Sequence, residues 1–316
     1  MSKISAYGLA MGVKQRRFPY EACLRSLDSF CDEIVVAYDK RFDDPDTFTQ
    51  LSSKIKLLEI EYQFDTWDFM NIALTQARRA CDGEWCYIYG MDEVFHAHQT
   101  ANLRNAVENA QPDWNAITVR ILCGVFFDYI SVGYFMVEQH RIGLTRNRPE
   151  LRHGTAPIQT GQNDAKDWDG KFIKFGYDDF SFFDESIGTN YWGDKERHWV
   201  DDSYDIPESI SGDSVEAVLY RLEHYTHIWH YAWYHIGRKA EQMKQTKIYL
   251  DRVYGRSKEL DIDKLIADLN ATIILDPTTT GVLFNGKIIT DGLSHIELKH
   301  PSCVQDWLQE MTLDAV

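Results

Sequence analysis

Two acidic side chains stand together at Asp92 and Glu93, just after the apolar, aromatic run EWCYIY (Glu84–Tyr89) and a break at Gly90. Adjacent hard carboxylate oxygens can hold Mg2+ or Mn2+, which keep coordination positions open for diphosphate oxygens. A cation there would neutralise charge building on a leaving phosphate. Acidic pairs at strand ends are also common as solvated groups or helix caps, so the pair alone leaves both roles open. A second concentration of chemistry is HYTHIWHY, His224–Tyr231, with His235 close behind. Read as a strand, it puts His224 and His230 on one face and His227 on the other, which assembles no ready zinc cluster. The default for His224, His227 and His235 is a partly buried, hydrogen-bonded imidazole. Carboxylates able to deprotonate a hydroxyl are plentiful in the acidic, aromatic middle of the chain: Asp164, Asp167, Asp169, Asp178 and Asp179, with Glu138 further back.

The elements that must position these groups follow from periodicity. Short apolar runs alternate with amphipathic segments through the first third, the pattern of βα units feeding a mostly parallel sheet. Strands are predicted at Ile4–Ala10, Glu33–Tyr38, Lys56–Glu61 and Glu84–Tyr89. Helices are predicted at Tyr20–Phe30, from a Thr66 cap to Ala80 with Phe69, Ile72, Ala73 and Ala77 inward, and at Thr100–Ala110. Ligands of open α/β sheets bind beyond the carboxyl ends of the strands, which singles out Asp39 as well as Asp92 and Glu93. From Trp114 to about Val200 the chain turns aromatic and loop-rich, where an acceptor site is expected. The basic run Arg141, Arg146, Arg148 and Arg152 could meet an anionic substrate, but its favoured reading is a solvated loop. Further on, Ile236–Tyr254 is the longest helical pattern, with helices also at Asp263–Leu269 and after Pro301.

Bulk properties exclude several classes. The 316 residues suit one large α/β domain or two fused halves, and 44% hydrophobic with 26% charged residues is ordinary globular composition. A net charge of −16 disfavours a nucleic-acid partner, whose phosphates are bound by releasing counterions with Lys and Arg. Six cysteines, at 23, 31, 81, 86, 123 and 303, show neither CxxC pairing nor zinc-ribbon spacing, which fits a reducing, cytoplasmic compartment. No stretch of about 18 apolar residues suggests a membrane span, and no h-region with a cleavage site suggests secretion.

The stretch WDFMNIALTQARRACDGEWCYIYGMDEVFH resembles the signature of family 2 and related GT-A glycosyltransferases, in which a buried strand delivers a DXD-type acidic motif. SFCDEIVVAYDKRFDDPDT resembles the second strand and loop of the same fold. An NDAKDW segment, HIWHYAWYHIGRKAEQMKQTK and HPSCVQDWL resemble a phage and bacterial subgroup, so the likeness runs in order along nearly the whole chain. It implies a GT-A (Rossmann-like), mostly parallel central sheet with helices on both faces and a helical C-terminal extension. Residues 1–113 would bind the nucleotide sugar, 114–235 would form the acceptor half of the same domain, and 236–316 would be the extension. The resemblance also implies transfer of a sugar from a nucleoside diphosphate sugar, a UDP-sugar favoured, to a carbohydrate or other hydroxyl acceptor with Mn2+ or Mg2+. If the chain is phage-encoded, the compartment would be the host cytoplasm.

By the same resemblance, Asp39 would bind the base or ribose, Asn71 would lie near the donor, Asp92 and Glu93 would hold the metal–diphosphate, and His230 would be a third metal or diphosphate contact. Asp164 is the first choice of catalytic base and Asp179 the second. Trp168 and Trp233 are the indoles expected to stack on sugar. The chain departs from the family at Gly90, which stands where a full DXD has its first acid. That departure supports a competing reading as a non-catalytic carbohydrate-binding or virion-associated protein. A sugar-phosphate nucleotidyltransferase would carry a Gly-rich phosphate loop after the first strand, which GLAMGVKQRR imitates poorly. A homo-oligomer stays open.

Overall fold

The computed structural model describes residues 2–63, 69–112, 138–153, 215–231 and 299–313, with shorter pieces at 114, 116–122, 125–126, 129–131, 182–184, 189–190, 197–199, 207–210, 282–284, 287–289 and 293–295. Its frame is a mixed sheet built from β1 (Ile4–Ala10), β2 (Glu33–Tyr38), β3 (Ile55–Glu59), β4 (Trp85–Ile88), β5 (Glu93–Val94), β6 (Ala116–Leu122), β7 (Glu138–Arg146), β8 (Arg197–Trp199) and β9 (His227–His230). The order is β3-β2-β1-β4-β7-β6-β9-β5, and β8 pairs with the start of β6. The β1–β2, β2–β3, β1–β4, β6–β8 and β6–β9 pairs are parallel. Since β7 runs antiparallel to both β4 and β6, the strands β1–β4, β6 and β9 all point one way. Their carboxyl ends therefore share one edge, the side where open α/β sheets bind ligands.

Strand alternation sorts the core into two layers. On one face Ile4, Ala6, Ile34, Val36, Trp85 and Tyr87 pack with Cys23, Leu24 and Leu27 of helix α1 (Tyr20–Asp28), and with Leu103 and Val107 of a helix at Thr100–Glu108. On the other, Tyr7, Val35, Ala37, Cys86 and Ile88 meet Phe69, Ala73 and Ala77 of a helix at Phe69–Arg79. This is the α/β, Rossmann-like arrangement expected of the sequence, with helices on both faces. Buried Arg78 ties the second layer to β7, donating to Thr145 Oγ1 at 2.7 Å and to the Arg146 carbonyl at 2.6 Å.

Several local expectations change. Ile72 is 40% exposed, because the buried stripe Phe69–Ala73–Ala77 is complete without it. The third strand begins at Ile55 and ends at Glu59, and the Thr66 cap lies outside the described residues. The basic run is no solvated loop: its first part is the central strand β7, and Arg146 donates to the carbonyls of Trp114 and Gln111 with its guanidinium 4.6 Å from the Trp85 ring. His224 belongs to a helix, Val215–His224, not to a strand; its ring nitrogen bonds the Tyr220 carbonyl one turn back at 2.8 Å, and the strand begins only at His227.

The helical patterns at 236–254 and 263–269 lie outside the described residues. Beyond them the chain forms a hairpin, Val282–Phe284 with Lys287–Ile289, and Leu293–His295 pairs antiparallel with Tyr129–Ser131. After Pro301 come a short turn at Ser302–Val304 and the expected last helix, Gln305–Leu313. Strand pairing crosses both of the expected segment boundaries, β9 with β5 and Leu293–His295 with Tyr129–Ser131. Among the described residues no helix is long and apolar enough to cross a membrane.

Candidate functional site

The chain leaves β4 through Tyr89 and closes a tight turn at Gly90. The Glu93 N–H donates to the Gly90 carbonyl at 3.1 Å, and the Gly90 N–H donates to Glu93 Oε2 at 2.9 Å. The same Gly90 carbonyl accepts the Cys23 thiol of α1 at 3.2 Å. Burial first, then the charges of Glu93 and Asp92, push that thiol up, so it stays a neutral donor. Out of the turn the chain becomes β5, whose Glu93 and Val94 pair with His230 and Trp229 of β9. The Tyr231 N–H completes the junction by donating to the Asp92 carbonyl at 2.8 Å.

This register brings Asp92 and His230 together. Asp92 Oδ2 and His230 Nε2 stand 3.6 Å apart, and the residues are 3% and 6% exposed. Glu93, 5% exposed, behaves differently, because one of its oxygens closes its own turn. Gly90 is what lets both acids fold this way. A Cβ there would lie 2.9 Å from Asp92 Oδ1 and 3.3 Å from Glu93 Oε1, so the two carboxylates occupy the space that a first acid would fill.

Asp39, at the end of β2, is buried and fully engaged. It accepts the Arg41 backbone N–H at 2.9 Å, the Tyr62 N–H at 2.8 Å, and a two-pronged guanidinium from Arg41 at 2.5–3.0 Å. Burial pushes its carboxyl up, but the hydrogen bonds from Arg41 and Tyr62 outweigh it and hold the group below the usual carboxylate range. Arg41 itself is exposed, donates to the Tyr62 carbonyl at 2.7 Å and lies 5.5 Å from the Phe42 ring. Asp43 accepts the N–H groups of Gly12 and Val13 at 2.5 and 2.8 Å, which pins the loop after β1, where Gly12 takes φ +70°. Asn71 sits in the first turn of the Phe69–Arg79 helix, near the same edge but on the opposite layer from α1.

Sequence reasoning passed over Arg41, Asp43, Cys23, Tyr231 and His300. The first two lie in the loop after the second strand, where only Asp39 was given a role, and His300 opens a segment singled out without a residue role. Asp164, Asp179, Trp168 and Trp233 lie outside the described residues. Among the described residues no group of three or more His, Cys, Asp or Glu side chains is arranged to hold a metal ion, so Asp92 and His230 stand as a pair.

Behind the pair lies a histidine and aromatic cluster. His96 meets the Trp229 ring edge-on at 5.2 Å and lies 5.1 Å from His98. Burial first and His98 second push His96 down to about 4 from 6.5. The unfolded chain takes up this proton near pH 6.5 and the folded one only near pH 4, so stability present above pH 6.5 is lost as pH falls toward 4. The share of His96 is on the order of 2 kcal/mol after allowing for its partial exposure. Urea unfolding of the wild type and of His96→Gln at pH 7 and pH 4.5 is expected to show the smaller acid loss in the variant; equal losses would remove His96 as the cause.

By fold and site the chain is thus a Rossmann-like α/β protein with a carboxylate–histidine pair at the carboxyl edge of its sheet. No family model and no curated protein matches it. Among solved structures it is similar to S. aureus TarS 1-349 in complex with UDP, at 13% identity over 46% of this chain and 47% of that one, TM-score 0.33. It is similar also to the mannosyltransferase PcManGT from Pyrobaculum calidifontis in complex with GDP-Man and Mn2+, at 19% identity over 37% and 35%, TM-score 0.28. A third likeness is to 4-diphosphocytidyl-2C-methyl-D-erythritolsynthase from Anaerococcus prevotii DSM 20548, at 14% identity over 46% and 70%, TM-score 0.32. The chain spans about half of the TarS chain it matches.

Proposed function

We propose that the chain is a GT-A-type glycosyltransferase that moves a sugar from a nucleoside diphosphate donor to an acceptor hydroxyl, assisted by a divalent cation held at Asp92 and His230. The observation that carries this reading is the approach of Asp92 Oδ2 to His230 Nε2 at 3.6 Å, at the edge where parallel strands end. Two bonds of roughly 2.0–2.2 Å to one ion span that separation, so the donor atoms fit a cation. An oxygen–nitrogen set suits Mn2+ over Mg2+, whose ligands are oxygens. Bound there, the cation would supply charge stabilisation for the departing nucleoside diphosphate.

The remaining roles belong to the chain itself. Asp92 contributes the negative charge, and His230 in its neutral form contributes a lone pair. Glu93 shapes the turn through Gly90 and stands behind the pair. Asp39 would meet the base or ribose of the donor together with Arg41, whose guanidinium it holds, and Asn71 would contact the donor from the other layer. The base that deprotonates the acceptor is sought at Asp164 first and Asp179 second, with Trp168 and Trp233 as sugar-stacking surfaces. A nucleotidyltransferase is disfavoured by Asp43: its carboxylate takes the Gly12 and Val13 N–H groups that a phosphate-cradling loop would present to its ligand.

The test is a thermal-shift panel of UDP-, GDP-, CMP- and dTDP-sugars with and without Mn2+. A donor at a hundredfold excess over its Kd stabilises the native state by about 2.7 kcal/mol. One nucleotide, UDP favoured, is expected to raise the melting temperature only with Mn2+ present. No shift with any nucleotide would overturn the reading. Binding without turnover of the donor would favour the non-catalytic alternative.

A further inference from the structure

The segment HPSCVQDW, His300–Trp307, makes contacts that the proposed chemistry does not use. His300 Nδ1 is hydrogen-bonded to the Tyr231 hydroxyl at 3.0 Å, across 69 residues of sequence. Trp307 stacks edge-on against the Tyr231 ring at 5.5 Å, and its indole N–H donates to the Arg17 carbonyl at 3.0 Å. Arg17 has φ 52°, a left-handed backbone that costs a non-glycine residue roughly 1 kcal/mol or more and persists only when its surroundings hold it. Between these anchors the Ser302–Val304 turn lies against α1, the helix whose Cys23 grips the Gly90 carbonyl.

Tyr231 is the point of convergence. It is fully buried, follows His230 directly, and its own N–H holds the Asp92 carbonyl. The strands that bring Asp92 and His230 together are short, two residues in β5 and four in β9, so backbone pairing supplies little rigidity of its own. A site must be held within about 0.5 Å of its working geometry by groups that are themselves locked in place.

We propose that His300 and Trp307 are positioning residues that fix the Asp92–His230 pair through Tyr231, so that the C-terminal segment completes the donor site. Neither touches donor or cation. The inference rests on the proposed function insofar as the pair binds a cation, while the positioning itself can be read without ligand.

The test uses the full chain with Tyr231→Phe, His300→Ala, the double variant, and His300→Asn, whose side-chain oxygen falls where Nδ1 stands. Mn2+ and UDP affinities are measured by titration, the His230 ring resonances by NMR without ligand, and global stability by urea unfolding. Supporting partners behind a metal ligand are worth about 10–100-fold in affinity. Tyr231→Phe and His300→Ala are each expected to weaken Mn2+ binding at least tenfold and to shift the His230 resonances. The double variant should be no worse than either single, and His300→Asn should restore both readouts. Unchanged His230 resonances in the single variants, or additive losses in the double, overturn the positioning role. Should His300→Ala not fold, Tyr231→Phe and His300→Asn decide by the same readouts. If the wild type binds neither Mn2+ nor UDP, the proposed function falls, whereas the ligand-free resonances still judge the positioning.

Discussion

Asp92→Asn is expected to lower donor turnover roughly 10³-fold, the scale for removing one preorganised group from a charge-stabilising site, or about 4 kcal/mol. Asn has the shape of Asp without its charge, so the turn and the β5–β9 register survive. The loss should appear in the chemistry and in the Mn2+ dependence of nucleotide binding, with little change in melting temperature. Release of nucleoside diphosphate and thermal melting, measured on the same preparations, separate the two. Glu93→Gln serves as the internal contrast. Its amide oxygen can still accept the Gly90 N–H, so the turn closes as before and turnover should fall far less. Wild-type turnover in Asp92→Asn, or equal losses in the two variants, would remove Asp92 from the centre of the site.

Gly90→Asp has the second largest expected effect, and its sign opposes what motif arithmetic suggests. Restoring a first acid would complete a DXD pattern on paper. In the folded chain the new Cβ would stand 2.9 Å from Asp92 Oδ1 and 3.3 Å from Glu93 Oε1. A third carboxylate then meets two others, and like charges about 4 Å apart repel by about 4 kcal/mol at the effective dielectric near a protein surface. The variant should bind Mn2+ more weakly than wild type and unfold at lower urea. Gly90→Ala separates sterics from charge: its Cβ meets Asp92 and Glu93 without adding a carboxylate, so stability should drop by about 1–3 kcal/mol while Mn2+ affinity falls less than in Gly90→Asp. Tighter Mn2+ binding by Gly90→Asp would refute this account of the turn.

How much of the site was legible varies with the range of the forces that make it. The strands Ile4–Ala10 and Glu33–Tyr38 and the helix from Tyr20 were readable because apolar periodicity is local and faces one core. The reading of His224–Tyr231 as one strand failed at its first residues. There alternation competed with a helical turn, and the bonds to the Tyr220 and Arg221 carbonyls decided for the helix. The central strand β7 was read as a basic loop because its arginines look solvated until Trp114, Gln111 and Trp85 are placed around Arg146. Asp39 was correctly placed at a strand end, but its pairing with Arg41 depends on a loop conformation that no periodicity encodes.

By itself the amino-acid order determined the α/β alternation, the delivery of an acidic pair just past the fourth strand, and a net charge of −16. These are properties of nearest neighbours, repeat and net charge. Only the tertiary structure decided how closely His230, which the resemblance had singled out, approaches Asp92, and that Glu93 turns back onto Gly90. It also placed Tyr231 beneath His300. Each of these follows from the antiparallel register of β5 on β9 and from the Ser302–Val304 turn docking against α1. Contacts between segments far apart in the chain are chosen by the packing of the whole sheet, and a slip of one residue would turn every one of these side chains to the other face.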